Sequence, residues 1–321
     1  MALIEDLFAR SEKPLRGLLA VETIGLLYNL LTSLLVGCFY SRMDHPETML
    51  VEHGCILLGT VGLYLLYRGY ACKMTLFFRV VGQLGLLAYW YPETYEFNKL
   101  FPNLDHLFAG WEQMLFDCQP AITFSQYCSG TLWSEAFNLG NFSYYPMIFA
   151  VVLFYFFARN ERFLRVSFIV LGSFFVYYLV YMFLPVTGPQ YYFHAIGLDN
   201  AMAGIFPEVG NYFSTHCEML PGPGDADGLF YGLVEQSQAA GERPTAAFPS
   251  SHVGISTILM ILAWRGKRML FVVLLPFYLL LCCATVYIQA HYLIDALAGF
   301  VSAIGVFLFV EWLYDRFWGW E

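Results

Sequence analysis

Long apolar stretches separated by short polar segments dominate the pattern of this chain. A bilayer hydrocarbon core of about 30 Å needs about 20 apolar residues per helix. The stretches show no period-two alternation of apolar and polar residues, which argues against strands. The pattern predicts eight membrane-spanning helices, the fourth and sixth of them short. They run roughly over Leu18–Tyr40, Leu50–Tyr67, Met74–Tyr91, Tyr144–Ala158, Leu164–Leu184, Ser251–Trp264, Leu270–Tyr287 and His291–Tyr314.

The positive charges between these stretches alternate in density along the chain. Of the 16 Lys and Arg residues, twelve fall in one set of termini and connecting segments, and Arg79 falls inside the third stretch. The opposite set holds the remaining three, which are Arg42, Lys99 and Arg243. Cytoplasmic loops carry the excess of Lys and Arg, so we expect both termini in the cytoplasm. The short cytoplasmic loops favour a bacterial inner membrane.

The composition agrees with a membrane protein. Hydrophobic residues make up 59% of the chain and charged residues 13%, whereas an ordinary soluble domain has about 25% charged residues. The formal net charge of −9 argues against a nucleic-acid partner. The high hydrophobic content and low charged content also exclude a disordered chain and a secreted disulfide scaffold. We predict a single all-helical domain over residues 1–321, a polytopic integral membrane helix bundle with about eight transmembrane helices.

Two long segments are expected on the outward side. The first covers about 92–143 and contains Asn103–Phe116, which is predicted to form a helix lying on the membrane. The second covers about 185–249 and contains a Pro-Gly-Pro-Gly sequence at 221–224. Loops of this length in a compact protein are usually functional or disordered. We interpret the second segment as a lid or cap.

Two polar motifs lie at outward helix starts. Pro249, Ser250, Ser251 and His252 open the sixth stretch, and a His-x-x-x-Asp sequence from His291 to Asp295 opens the eighth. The intervening chain crosses the membrane twice, so both motifs return to the same face. Residues four apart share one helix face. We therefore expect two histidines and a carboxylate to meet at one membrane surface.

This set of side chains suits phosphoryl transfer. A neutral imidazole can attack phosphorus and form a covalent intermediate. A carboxylate near its other nitrogen fixes the tautomer, and a second histidine can protonate the leaving oxygen. A helix start such as Ser250–His252 offers free N–H groups to an anion, which makes Ser250 and Ser251 candidate substrate-binding residues.

The two motifs resemble those of the type 2 phosphatidic acid phosphatase superfamily, which has a Pro-Ser-Gly-His-type motif and a later His-x-x-x-Asp motif. The resemblance implies that His291 is the nucleophile, that Asp295 orients it and that His252 is the acid. It also implies a lipid phosphoester substrate, and it covers roughly residues 180–305. We therefore predict that the fifth to eighth spans, at about 164–315, form the catalytic core, with scaffold helices at about 1–163. The Lys-x6-Arg-Pro motif of the superfamily is absent, and Thr285 stands where its last motif has Arg.

The flanking residues are similar to one branch of that superfamily. The sequence from Pro185 to Tyr191 resembles the Pro-rich motif of inositol phosphorylceramide synthases, which implies transfer of a phospho-head group as an alternative to hydrolysis. Arg243 is the expected replacement for the missing phosphate-binding cations, because Arg can hold two phosphate oxygens at once. Gln190 and Tyr191 are expected to add hydrogen bonds. No metal or other cofactor is expected, because the histidine is itself the nucleophile.

A multi-span transporter without phosphoryl chemistry is the alternative. Transporters usually concentrate polar groups near the middle of the bilayer. The polar residues within these stretches are few, and the dense polar cluster lies at the outer ends of the sixth and eighth stretches. The pattern therefore favours an enzyme embedded among membrane lipids. The lipid donor, the acceptor and the oligomeric state remain open at this stage.

Overall fold

The computed structural model describes residues 2–319. These residues form an all-helical protein, and no strand occurs in this part of the chain. Three short 3-10 helices cover Tyr40–Arg42, Asn160–Arg162 and Tyr212–Ser214. The α-helices are α1 (Ala2–Phe8), α2 (Ala20–Phe39), α3 (Pro46–Gly69), α4 (Lys73–Gly85), α5 (Leu87–Asn98), α6 (Asp105–Phe116), α7 (Pro120–Tyr127), α8 (Thr131–Phe142), α9 (Tyr144–Ala158), α10 (Phe163–Phe183), α11 (Pro189–Ile196), α12 (Leu198–Met202), α13 (Leu229–Gly241), α14 (Ser251–Gly266), α15 (Arg268–Tyr287) and α16 (Leu293–Trp318).

The predicted all-helical membrane fold is confirmed, and the chain is an integral membrane protein. Among the described residues, five helical segments are long and apolar enough to cross a bilayer. A sixth crossing is reached if α8 and α9 count as one span, with a bend of 42° between them. The count of eight stays a prediction. The five segments are Ala20–Arg42, Pro46–Gly69, Asn160–Phe183, Arg268–Tyr287 and Leu293–Trp318.

The other three predicted spans are short or interrupted. The third, Met74–Tyr91, is divided between α4 and α5 at Leu86. The break follows Gly85, and glycine is a poor helix former. Helix α9 has 15 residues and α14 has 16, which at 1.5 Å per residue gives about 22–24 Å of helix. That length falls short of the hydrocarbon core of about 30 Å.

The described residues fall into two compact units. The first takes the chain up to Trp90, together with Phe154–Phe175 and the described residues from Phe309 onward. Within it, Glu22 and Arg79 form an ion pair whose side chains are fully buried, with 2.7 Å between Arg79 Nε and Glu22 Oε1. A charge in an apolar span is costly unless it is paired, and this contact satisfies both charges.

The second unit takes Tyr91–Leu153 and Val176–Leu308. Of the two segments expected as outward loops, the first is largely helical and contains α6 to α8, and the second contains α11 to α13 with a mostly irregular stretch between α12 and α13. The second segment is tied to α8, because the Glu135 carboxylate accepts hydrogen bonds from the N–H groups of Phe230 and Tyr231 at the start of α13. Helices this short escape a search for apolar stretches, because they need few buried positions.

Candidate active site

The start of α14 is fixed by hydrogen bonds to its first peptide groups. Ser250 is the N-cap, and its Oγ accepts from Val253 N at 3.4 Å. The Tyr181 hydroxyl donates to the carbonyl of Pro249 at 2.8 Å and accepts from Ser251 N at 2.9 Å. Serine favours this position because its oxygen satisfies a free N–H of the first turn. His252 is thereby held in the first turn of α14.

The start of α16 is fixed by two carboxylates. Asp295 Oδ2 accepts from Tyr292 N at 2.8 Å, and Glu112 Oε1 accepts from the N–H groups of Leu293 and Ile294. Acceptor oxygens are favourable near a helix N-terminus because the first N–H groups have no partner within the helix. His291 lies two residues before this helix, and its own N–H donates to the carbonyl of Thr285 at 3.0 Å.

Helices α14 and α16 approach each other at backbone distance. Ser250 N donates to the carbonyl of Asp295 at 3.0 Å. A Cβ atom at Gly299 would lie 2.4 Å from the carbonyl oxygen of Ser250, a distance that real Cβ contacts do not show. Small residues permit such close packing of membrane helices. Gly299 therefore allows the two predicted motifs to meet.

The structure brings His252 and His291 together. Their ring centroids are 5.7 Å apart, with an interplanar angle of 65°. His252 is half-buried and packs against the ring of Tyr144, with centroids 4.4 Å apart. His291 is buried, with 4% of its surface exposed, and Asp295 is fully buried. The pair thus combines one partly open imidazole with one enclosed imidazole.

A backbone carbonyl sets the tautomer of His291. The Nδ1 atom lies 2.7 Å from the carbonyl oxygen of Ala247 and 3.8 Å from Asp295 Oδ2. Because a carbonyl can only accept, Nδ1 carries the proton and Nε2 keeps its lone pair. The resemblance implies that Asp295 orients His291, but Nδ1–H donates its short hydrogen bond to the carbonyl of Ala247, and Asp295 Oδ2 lies beyond hydrogen-bond distance.

Burial keeps His291 in its neutral form. Loss of contact with water lowers the pKa of His291 to about 4, and the hydrogen bond to Ala247 opposes this shift. Burial disfavours the charged form of an imidazole. At neutral pH the side chain is therefore an uncharged base with its free lone pair on Nε2, which is the form that attacks an electrophile.

The candidate substrate-binding residues occupy different surroundings. Ser250 and Ser251 lie in the helix start described above. Gln190 and Tyr191 are buried, and Gln190 N donates to the carbonyl of Gln289 at 2.8 Å, two residues before His291. Arg243 is exposed, and its guanidinium donates to the carbonyl of Glu242 at 2.9 Å. The clamp role of Arg243 therefore stays a prediction.

Two buried carboxylates of α6 were not predicted from the sequence. Asp105 and Glu112 lie seven residues apart, on the helix face that also buries Phe108 and Ala109. This face packs towards the segment that contains His291, since Asp105 accepts from the hydroxyl of Tyr292 at 3.0 Å. Two acidic residues at helical spacing on an otherwise apolar face were the available signal.

Within residues 2–319, no group of three or more His, Cys, Asp or Glu side chains is arranged to hold a metal ion.

Glu112 is expected to make the stability of the protein depend on pH. Burial, and then the charge of Asp295, raise the pKa of Glu112 to about 8. Between an ordinary glutamate pKa of about 4.3 and 8, the unfolded chain is ionised while the folded chain keeps the proton, so stability falls as pH rises through this window. The Glu112→Gln variant should lose less stability than wild type from pH 5 to pH 8, by up to about 1 kcal/mol per pH unit.

Thermal unfolding in detergent at pH 5 and pH 8 measures this difference between the two proteins. Glutamine keeps an oxygen that can accept from Leu293 N, so the two proteins should be closest in stability at pH 5. Equal losses of stability in both proteins between the two pH values would contradict the prediction.

Comparison with known proteins agrees with this geometry. A family model described as the PAP2 superfamily matches residues 140–309. The match covers more than half of the chain and includes His252, His291 and Asp295. No curated protein and no solved structure matches the chain. The matched segment contains both histidine motifs, which lie at the adjacent starts of α14 and α16. The chain therefore belongs to the PAP2 superfamily.

Proposed function

We propose that this protein transfers phosphoryl or phospho-head groups of membrane lipids through a covalent intermediate on His291. Membership of the PAP2 superfamily supports a phosphatase-type enzyme that acts on lipid phosphoesters in a membrane. The proposal of a covalent intermediate rests on one observation, the protonation state and tautomer of His291. The side chain is neutral, its Nδ1 proton is held by Ala247, and its free Nε2 belongs to a ring beside that of His252.

The first half of the reaction forms the intermediate. Nε2 of His291 attacks phosphorus, and a nitrogen–phosphorus bond forms as the bond from phosphorus to the leaving oxygen breaks. Protonated His252 gives its proton to that oxygen, so the leaving group departs as a neutral alcohol. Burial and the neighbouring His291 lower the pKa of His252, so this imidazole is neutral without substrate. A phosphate next to His252 opposes that shift, because an opposite charge nearby stabilises the protonated form.

The second half releases the product. Water or an alcohol attacks phosphorus, neutral His252 takes the proton of the nucleophile, and the bond to Nε2 breaks. His291 and His252 return to their starting states. Attack by water gives hydrolysis, whereas attack by a lipid alcohol gives head-group transfer.

Neighbouring groups stabilise charge during both halves. The imidazole of His291 becomes positively charged as it bonds to phosphorus, and the Asp295 carboxylate at 3.8 Å favours that charge. The N-terminus of α14 is proposed to favour phosphate oxygens through its helix dipole, since the N–H groups of Ser251 and Val253 already donate to Tyr181 and Ser250. Arg243 is proposed to hold two phosphate oxygens, with Gln190 and Tyr191 as further hydrogen-bonding groups.

The resemblance of residues 185–191 to the inositol phosphorylceramide synthase branch supports head-group transfer as an alternative to hydrolysis. On that proposal, the donor is a phosphodiester such as phosphatidylinositol and the acceptor is a lipid alcohol such as ceramide. The active site is proposed to face away from the cytoplasm, because the outward helix starts carry both motifs and cytoplasmic loops carry the excess of positive charge.

A substrate panel tests the proposed function. Purified protein in lipid vesicles is given phosphatidic acid alone, or phosphatidylinositol with and without ceramide, and phosphate, inositol phosphate and lipid products are measured. We expect phosphate release from phosphatidic acid, head-group transfer to ceramide, or both. Absence of turnover with every donor, by protein shown to be folded, would contradict the proposal.

A further inference from the structure

The buried face of α6 contacts the segments that hold His291, although α6 lies before the matched family segment. Asp105 is fully buried. Its Oδ2 accepts from the N–H and hydroxyl of Thr187 at 2.7 and 2.9 Å and from Asn103 Nδ2 at 2.6 Å. Its Oδ1 accepts from Gly188 N at 2.9 Å and from the Tyr292 hydroxyl at 3.0 Å. Five donors converge on one carboxylate.

The hydrogen bonds to Thr187 and Gly188 connect Asp105 to the carbonyl of Ala247, which accepts from His291. Asp105 holds the peptide groups of Thr187 and Gly188. The preceding residue, Val186, accepts a hydrogen bond from Ala247 N at 3.0 Å. Ala247 in turn accepts the Nδ1 proton of His291 through its carbonyl oxygen. The position of this carbonyl therefore depends on the turn that Asp105 fixes.

The same turn packs directly against the residue before His291. Gly188 has φ of +92°, and a Cβ atom there would lie 2.4 Å from the carbonyl oxygen of Ala290. A positive φ and a backbone contact this close are compatible only with glycine. The residue after His291, Tyr292, is fully buried, and its hydroxyl donates a hydrogen bond to Asp105. Both neighbours of His291 are thus held by contacts that converge on one side chain.

We propose that Asp105 is a positioning residue for His291, and that α6 is thereby part of the catalytic apparatus of this chain. The inference rests on the proposed function, in which His291 is the nucleophile. Asp105 fixes the direction of the Ala247 carbonyl, which keeps the proton on Nδ1 and the lone pair on Nε2. It also fixes Tyr292, which sets where the ring enters the site.

The Asp105→Asn variant tests this role. Asparagine has the same size, but its amide nitrogen cannot accept, so at least one cluster of donors loses its acceptor. We expect kcat to fall about 10- to 100-fold, since small misplacements of reacting groups cost this much, while KM changes little. The control is Asp199→Asn, because Asp199 is exposed on α12 in the same unit, and kcat should stay unchanged.

A milder variant covers the case in which Asp105→Asn does not fold. The Tyr292→Phe change removes one hydroxyl donor and leaves the ring and the carboxylate in place, so we expect a smaller fall in kcat. Nitrogen-15 spectra of labelled histidine report the tautomer directly. The wild-type His291 signals should be those of the Nδ1–H form, and either variant should show a mixture of tautomers.

The outcomes separate this inference from the proposed function. If wild type turns over and both variants keep its kcat and its tautomer, Asp105 is only a core residue and the inference is wrong. If wild type has no activity on any lipid phosphoester, the proposed function fails. A changed tautomer in the variants would then still show that Asp105 positions His291, whereas an unchanged tautomer would overturn that as well.

Discussion

Replacing His291 with alanine is expected to lower kcat by about 10⁴-fold or more, the range seen when a catalytic nucleophile is removed. The reason is chemical, because the variant has no group that can form the bond to phosphorus. His291 is neutral at pH 7, its Nδ1 proton is held by Ala247, and its Nε2 is free. The measurement is the initial rate on the best substrate of the panel, with wild type at the same concentration.

Trapping the intermediate makes this test specific. A substrate labelled on phosphorus, quenched under alkaline conditions, should leave label on wild type and none on the His291→Ala variant. The matched control is His194→Ala, since His194 is exposed on α11 in the same unit, and this variant should keep both turnover and label. Full turnover by His291→Ala would remove His291 as the nucleophile.

The His252→Gln variant is expected to lower kcat on lipid substrates by about 10²- to 10⁴-fold, the usual contribution of a general acid. Glutamine keeps much of the side-chain volume against Tyr144, but it cannot deliver a proton. The loss should depend on the leaving group. A lipid alcohol leaves poorly without a proton, whereas a nitrophenolate leaves readily as an anion.

The comparison is therefore made on two substrates, a lipid phosphate and an aryl phosphate with an acidic phenol. The His252→Gln variant should be strongly impaired in forming the intermediate from the lipid phosphate and only weakly impaired with the aryl ester. Single-turnover measurements isolate this first step from release of the phosphoryl group. Equal impairment on both substrates would show that His252 acts by another route, such as binding the phosphate.

Much of the membrane architecture was predictable from apolar stretches alone. Five of the eight predicted stretches coincide with helices long enough to cross a bilayer. The other three show where hydropathy stops being informative. A stretch such as Met74–Tyr91 is continuous in hydropathy although its helix is interrupted after Gly85. Short helices such as α14 are mostly apolar between their polar ends, yet apolarity does not say how far they extend across a bilayer.

The meeting of the two histidine motifs also followed from the sequence, because two spans with one turn between them return the chain to the same face. The groups that hold His291 did not. The carbonyl of Ala247 has no signature in the sequence, since every residue has one. Asp105 lies 82 residues before its partner Thr187 and 187 residues before its partner Tyr292, and no local pattern spans such separations.

The hydrogen bond from His291 to the carbonyl of Ala247 has a genetic consequence. No codon change deletes a main-chain carbonyl, so this acceptor survives every point substitution that leaves the local backbone path intact. The tautomer of His291 is inherited with the course of the chain rather than with any one side chain. Position 247 can therefore vary among descendants of this sequence, within the limits of its buried space, while His291 keeps its proton on Nδ1.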